Sequence, residues 1–272
     1  MNSSCRCADS PAPRLTDSSI LAISLQSGSN GNCIYVEAGG VRLLFDAGIC
    51  GSDAERRLAL YGRNIRDIDA VIISHDHSDH IRFAGVYQRK YKIPLYMTPR
   101  TLQVSQERHK LGRLDDVNLF LAGGTLKFGG VSVQTISTPH DGADGSAFVV
   151  DCGQKRLGIL TDLGHAFEEL AYVIASLDAV FIESNYDPNM LARGPYPEFL
   201  KRRIQGPGGH LSNHEAAHLL KSGKRLQWAC LAHLSEHNNN PQLALETNCS
   251  LLNNGLMLHV ASRYGATGIL TV

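Results

Sequence analysis

One ten-residue stretch narrows the choices for this chain more than any other: Val71-Ile72-Ile73-Ser74-His75-Asp76-His77-Ser78-Asp79-His80. A β-branched apolar run, which reads as a buried strand, stops abruptly in three histidines and two aspartates within six positions. Imidazole and carboxylate groups at the end of a core strand need partners, because burying them unpaired is costly. The same groups are good ligands for divalent cations. Extended backbone alternates its side chains, so His75 and His77 point the same way and can hold one ion, while Asp79 and His80, a turn later, can hold a second. The fold must therefore bring this strand end to a polar centre.

The remainder has the pattern of a layered domain. Short apolar runs at 19–25, 33–36, 41–45 and 70–73 predict strands, with Gly28-Ser29-Asn30-Gly31-Asn32 as the turn between the first two. Further strands are expected at 94–96, 125–128, 131–136, 146–150, 157–160, 179–182 and 226–232. Two helix starts carry capping-box spacing, Ser52-Asp53-Ala54-Glu55 before the stop at Gly62 and Ser212-Asn213-His214-Glu215 before Gly223. No linker-like stretch divides the chain, so one layered α/β or α+β domain over 19–272 is expected, with helices outside two packed sheets. Residues 1–18, rich in Ser and Pro, read as a flexible N-terminal tail.

Charge and cysteine usage bound the function classes. The chain has 26 Lys+Arg against 26 Asp+Glu, which argues against the whole-surface basic field of many nucleic-acid binders and leaves room for a local patch. At 43% hydrophobic and 19% charged residues, it is no disordered chain. Seven scattered cysteines, an odd number in a chain of this size, suit a reducing compartment; Cys5 and Cys7 read as free thiols. The apolar run 20–25 is too short for a signal peptide, and no apolar stretch reaches the roughly 18 residues of a membrane span. The expectation is a cytoplasmic protein with no membrane partner and no sequence signal for its oligomeric state.

H-x-H-x-D-H after an apolar strand resembles the hallmark of metallo-β-lactamase-fold hydrolases. The resemblance implies a single-domain, four-layer αββα sandwich holding two divalent metal ions, zinc or manganese, that share a hydroxide. It implies His75, His77, Asp79 and His80 as ligands and asks for further residues in a set order. Asp46, after the run 41–45, would orient a ligand. His140, in Ser137-Thr138-Pro139-His140, would complete the first ion's set, and Asp162, in Leu160-Thr161-Asp162-Leu163-Gly164, would bridge both ions. His233, in Leu231-Ala232-His233-Leu234-Ser235, would complete the second. Aspartate at 162, where classical zinc β-lactamases carry cysteine, points to the thioesterase-like and phosphodiesterase branches.

The second half resembles a narrower group. Glu183 at a strand end, Gly209-His210-Leu211-Ser212 before a capped helix, and His233-Leu234-Ser235 look like nucleic-acid-processing members such as ribonuclease Z. Ser27-Gly28-Ser29-Asn30-Gly31-Asn32-Cys33, Glu183-Ser184-Asn185-Tyr186-Asp187, Tyr196-Pro197 and His233-Leu234-Ser235-Glu236-His237-Asn238-Asn239 resemble the YycJ/WalJ (VicX) group of bacterial exonucleases, over roughly 20–260. Two features depart from that group's pattern: the tail before Ser19, and His237, where an acidic residue usually precedes the Asn pair. The short stretch from Asp162 to His210 leaves no room for the extra domain that ribonuclease J inserts there.

This resemblance implies a metal-dependent phosphodiesterase, a 5′-to-3′ DNA exonuclease associated with DNA repair. Asp79 would accept a proton, and His210, held by Glu183, would stabilise the transition state or protonate the leaving 3′ oxygen. Ser29, Asn30, Ser235, Asn238 and Asn239 are candidates for phosphate oxygens, and the basic run Lys201, Arg202, Arg203 for the DNA backbone. The acidic ligands face cations, so with the basic run the cleft would be locally positive on a neutral chain. The alternative is a small-molecule thioester or lactone hydrolase, which would share the ligands but does not need Glu183, His210 or a basic helix.

Overall fold

Alternating burial along the first strand sets up the architecture. The computed structural model describes residues 19–252 and 255–272; the tail expected over 1–18 lies outside them. In β1 (Ile20–Gln26), Ile20 and Ala22 enter one apolar cluster while Leu21, Ile23 and Leu25 enter another. A strand buried on both faces has to lie inside a multilayered structure. β1 forms an antiparallel meander with β2 (Cys33–Ala38) and β3 (Val41–Phe45). After α1 (Gly51–Ala59), β4 (Ala70–Ile72) adds parallel to β3. The helices α2 (Ser78–Ile81) and α3 (Ala84–Tyr91) lead to β5 (Leu95–Met97), and α4 (Pro99–Arg108) leads to β6 (Val117–Leu119), both strands again parallel. Parallel pairing requires such crossovers, which cover the outer face with helices.

The second sheet repeats the scheme. β7 (Thr125–Phe128), β8 (Val131–Ser137), β9 (Ser146–Asp151) and β10 (Arg156–Leu160) run antiparallel. After α5 (Glu168–Ala175), β11 (Ala179–Glu183) joins β10 in parallel. Three helices, α6 (Pro188–Arg193), α7 (Glu198–Gln205) and α8 (Asn213–Leu220), precede β12 (Trp228–Ala232), and α9 (Pro241–Leu252) precedes β13 (Met257–Val260). A last short strand, β14 (Leu270–Thr271), returns to pair with β1. Among the described residues each mixed sheet thus has seven strands, in the orders β14-β1-β2-β3-β4-β5-β6 and β13-β12-β11-β10-β9-β8-β7.

Three apolar layers hold these four layers together. Val36, Phe45 and Ile72 from one sheet meet Val133, Phe148 and Phe181 from the other, with the Phe45 and Phe148 rings 5.1 Å apart. Leu21, Tyr35 and Leu44 pack outward on Leu58 of α1 and Tyr87 of α3, while Val149, Leu160 and Val180 pack on α5, α8 and α9. The αββα arrangement expected from the resemblance is the one observed. Among the described residues no helix is long and apolar enough to cross a membrane.

Local corrections have physical causes. The helix expected to be capped by Ser52 begins at Gly51, with Cys50 at the cap and no side-chain capping bond; the Ser52 hydroxyl lies 3.2 Å from the Cys50 thiol instead. The box at Ser212 is real: Glu215 N–H donates to the Ser212 hydroxyl at 3.2 Å and Ser212 N–H to the Glu215 carboxylate at 2.8 Å. Strands β6, β13 and β14 escaped prediction because they are short edge strands, of two to four residues, that are only partly buried.

Candidate metal centre

The polar residues singled out above converge where strands of both sheets end. Asp46 follows β3, the His75-to-His80 loop follows β4, Asp162 follows β10, Glu183 ends β11 and His233 follows β12. His140 comes three residues after β8. Three of these corner residues, Asp46 (φ 67°), Asp162 (φ 55°) and His233 (φ 55°), have left-handed backbone. Such a conformation is uncommon away from glycine and persists only where its surroundings enforce it.

Asp46 organises the first corner. Its Oδ1 accepts from Ser74 N–H at 2.8 Å, and its Oδ2 accepts from the Ser74 hydroxyl at 3.0 Å and meets His80 Nδ1 at 2.7 Å. That bond leaves His80 Nε2 to face the centre, as an orienting carboxylate does for a ligating imidazole. Gly48 is required by close approach, since a side chain there would collide with the Asp79 carbonyl oxygen. Asn32 braces Asp79 from below, its N–H donating to the Asp79 carbonyl at 2.8 Å and its Nδ2 to Asp79 Oδ2 at 3.1 Å.

The inward-facing atoms form overlapping sets. His75, His77 and His140 bring three ring nitrogens within 4.8 Å of one another; Asp79, His80 and His233 bring two ring nitrogens and a carboxylate oxygen equally close, as do His75, His80 and Asp162. His75 Nδ1 is taken by the Ser74 hydroxyl at 2.9 Å and His140 Nδ1 by the Gly209 carbonyl at 2.8 Å. His140 Nε2 then sits 3.2 Å from His77 Nδ1. Among the described residues, His75 Nε2 and Asp162 Oδ2 are buried with no hydrogen-bond partner, although Asp162 Oδ2 lies 3.3 Å from His80 Nε2. Buried orphan atoms in one such group, on imidazole and carboxylate donors, fit a divalent cation.

The two sides of the centre differ electrically. Burial, then the neighbouring rings of His80, His77 and His140, pushes His75 well below the usual histidine range. Burial would also lower His80 and His233, but carboxylates outweigh it: Asp162, Asp46 and Asp79 hold His80 well above its usual value, and Asp162 with Asp79 and Glu183 holds His233 up at about 10. Around His75 the neighbouring imidazoles thus oppose a further positive charge, while the carboxylates around His80 and His233 attract one.

A model of the metallo-beta-lactamase superfamily matches residues 27–198, most of the chain. The chain belongs to the metallo-β-lactamase superfamily. Among curated proteins, it is 36% identical over 224 residues to the exodeoxyribonuclease WalJ of Streptococcus pneumoniae serotype 2 (strain D39), covering 81% of this chain and 83% of that protein. It is 34% identical, again over 224 residues, to the exodeoxyribonuclease YycJ of Bacillus anthracis, covering 81% and 84%. In three dimensions it superposes on the metallo-β-lactamase fold protein YhfI of Bacillus subtilis with a TM-score of 0.71 at 16% identity, covering 94% of this chain and all of that one.

Beside this cluster of candidate ligands stands the pair His210 and Glu183. Glu183 is fully buried; its Oε2 accepts from Leu163 N–H at 3.1 Å and Leu211 N–H at 3.2 Å, and its Oε1 meets His210 Nδ1 at 2.6 Å. Burial opposes its charge, but the His210 and His233 rings outweigh that and hold Glu183 far below the usual carboxylate range. His210 keeps its second ring nitrogen for a cleft of about 250 Å³ shared with His77, Asp79, Asp162 and His233.

Of the residues nominated for substrate, Ser29 and Arg203 line this cleft. The others are engaged elsewhere. Lys201 donates to the Ala192 carbonyl at 2.8 Å, tying α7 to α6, and Arg202 Nε donates to the Glu198 carbonyl at 3.4 Å. Asn239 is buried, with its Nδ2 on the Ser184 and Asn185 carbonyls, and Asn238, fully buried, donates to the Ser235 hydroxyl at 3.3 Å. Asn30 donates to the Arg263 carbonyl at 2.9 Å. The amide nitrogens of these asparagines are thus held inside the protein, while, among the described residues, Asn30 Oδ1 and Asn238 Oδ1 are buried without a hydrogen-bond partner.

Three contributors escaped notice in the sequence. Asn32 read as an ordinary turn residue. Asp76, inside the histidine cluster, is buried and accepts from Arg108 at 2.8 Å and Ala143 N–H at 2.6 Å, anchoring the loop after His140. Asp141, directly after His140, takes a two-point bond from Arg203 (2.6 and 3.1 Å) and lies 3.5 Å from His77 Nε2. Adjacency to the candidate ligands was the available signal for Asp76 and Asp141; for Asn32 it was only its place in the Ser27-to-Cys33 stretch.

Proposed function

We propose that this chain is a metal-dependent exodeoxyribonuclease that degrades DNA from 5′ to 3′ using two divalent ions, zinc or manganese, with residues 19–272 as its catalytic domain. The observation that carries the reading is the His210–Glu183 pair. A buried carboxylate tied by two backbone N–H groups presents an imidazole to the ligand cluster, a device that thioester or lactone hydrolysis does not call for. The names of the relatives from Streptococcus and Bacillus agree with it.

His75, His77 and His140 would hold one ion and Asp79, His80 and His233 the other, with Asp162 reaching both. Such ions supply a water acidified to a pKa of about 7 and positive charge for phosphate oxygens. Asp79, held by Asn32, is placed to accept a proton. His210, its Nδ1 on Glu183, offers its other nitrogen to charge building on the phosphate or to the leaving 3′ oxygen. Ser29 and Arg203, at the cleft wall, can bind the flanking phosphate oxygens, while Asp141 fixes the Arg203 guanidinium in a fork. This reading assigns the protein to the cytoplasm, in DNA repair.

The test is to incubate metal-loaded protein with a 5′-phosphorylated, end-labelled duplex and, separately, a thioester panel, beside a His77→Ala control. Release of mononucleotides from the 5′ end, lost in the control, is expected. Thioester turnover without DNA cleavage would overturn the reading.

A further inference from the structure

A cavity of about 460 Å³, larger than the metal cleft, adjoins it across Ser29 and Arg263. Its walls are the loop that follows His233 and the segment that follows β13, and Leu234, Val260, Ala261 and Pro241 give it an apolar lining. Arg263 is the partition. Its Nη1 donates to the Leu234 carbonyl at 3.1 Å and reaches the Ser29 hydroxyl at 3.4 Å, while its Nη2 donates to Glu236 at 3.1 Å. The arginine lies across Gly28, where a Cβ would come within 2.7 Å of Nη1 and where φ is +142°. At the rim, Tyr264 is 71% exposed and its hydroxyl donates to the other Glu236 oxygen at 2.9 Å.

The charge balance decides what fits. Glu236 is paired with Arg263, so the cavity carries no net charge to attract a free phosphate. An apolar lining, an exposed aromatic ring and a few polar edges from Ser235 and Asn240 instead suit a flat, uncharged heteroaromatic group. The volume lies in the range of pockets for small organic ligands, about 300–1,000 Å³, and at its lower end it takes one nucleoside. A strand whose phosphate sits among the metal ligands would carry its adjacent base past Ser29 and Arg263 to this hollow.

We propose that the cavity receives the base of the 5′-terminal nucleotide, stacked on Tyr264, with Arg263 facing the sugar-phosphate link that runs into the metal cleft. This rests on the exonuclease reading above and deepens it: one base per cavity registers one terminal unit at a time.

The test uses metal-loaded, full-length protein and duplexes carrying 2-aminopurine at either the first or the third position from a 5′ end. Binding is expected to quench the first-position probe alone, and Tyr264→Ala, a change at an exposed side chain, to leave it bright. In cleavage assays Tyr264→Ala is expected to raise KM about tenfold, the scale of one base–aromatic stack. A 5′-terminal abasic residue should raise KM for the parent by a similar factor, with no further rise in the variant. Equal KM for abasic and normal ends, a terminal probe that stays bright, or a Tyr264→Ala defect that persists on the abasic end would overturn the proposal while leaving the exonuclease reading intact. Failure to bind or cut any DNA end would remove both.

Discussion

The two sheets build the same corner twice and use it differently. In the first, the antiparallel strands β1 to β3 end at Asp46 and β4 follows in parallel; in the second, β8 to β10 end at Asp162 and β11 follows in parallel. Both aspartates have left-handed backbone, φ 67° and 55°. Both Asp46 oxygens are hydrogen-bonded inside the protein, to Ser74 and His80, whereas Asp162 keeps a buried oxygen that, among the described residues, accepts no hydrogen bond and lies 3.3 Å from His80 Nε2. Equivalent backbone thus yields an orienting carboxylate on one side and a cation-seeking one on the other. What separates them is the following strand's exit: β4 opens into the histidine loop, while β11 ends in Glu183 and the backbone N–H groups near it bond Glu183 instead of Asp162.

Substitutions can break or sharpen that contrast. Asp162→Ala should give the largest effect, loss of bound metal and of all nucleotide release, read by elemental analysis and the end-labelled duplex. Next, His210→Ala should lower turnover by about 10²–10⁴ while metal stays bound; loss of metal from that variant would mean His210 belongs to the ligand set. Asp46→Asn should weaken metal affinity by about 10–100-fold in a chelator competition without abolishing it. Should it behave like Asp162→Ala, the two corners are not functionally distinct. The smallest effect concerns the helix that follows His210. Ser212→Ala should lower stability by about 1 kcal/mol, a fall of roughly 2–4 °C in Tm. Ser52→Ala, which removes no cap, should stay within about 0.5 kcal/mol.

Much of the fold was legible because its strands are short, apolar and cleanly bounded. Runs such as 41–45 and 125–128 matched the observed strands to the residue. The ligand candidates were legible because strand-end histidines and aspartates in that density have few other uses. Residues that act through hydrogen bonds were harder to read. Asn32, Asp76 and Asp141 look ordinary in sequence, and their roles depend on which loops lie opposite them. Lys201 and Arg203 look alike as members of one basic run, yet helix geometry sends the first to α6 and the second to the cleft.

By itself, then, the chain's sequence determined the layered architecture and the inventory of candidate metal-ligating groups, because apolar periodicity and side-chain chemistry are local properties. Tertiary structure alone decided which ring nitrogens face inward, which carboxylate is left unpaired, and that a neutral cavity behind Arg263 adjoins the metal cleft. Those depend on contacts between residues far apart in the chain, such as the one between Ser29 and Arg263, which no local pattern encodes.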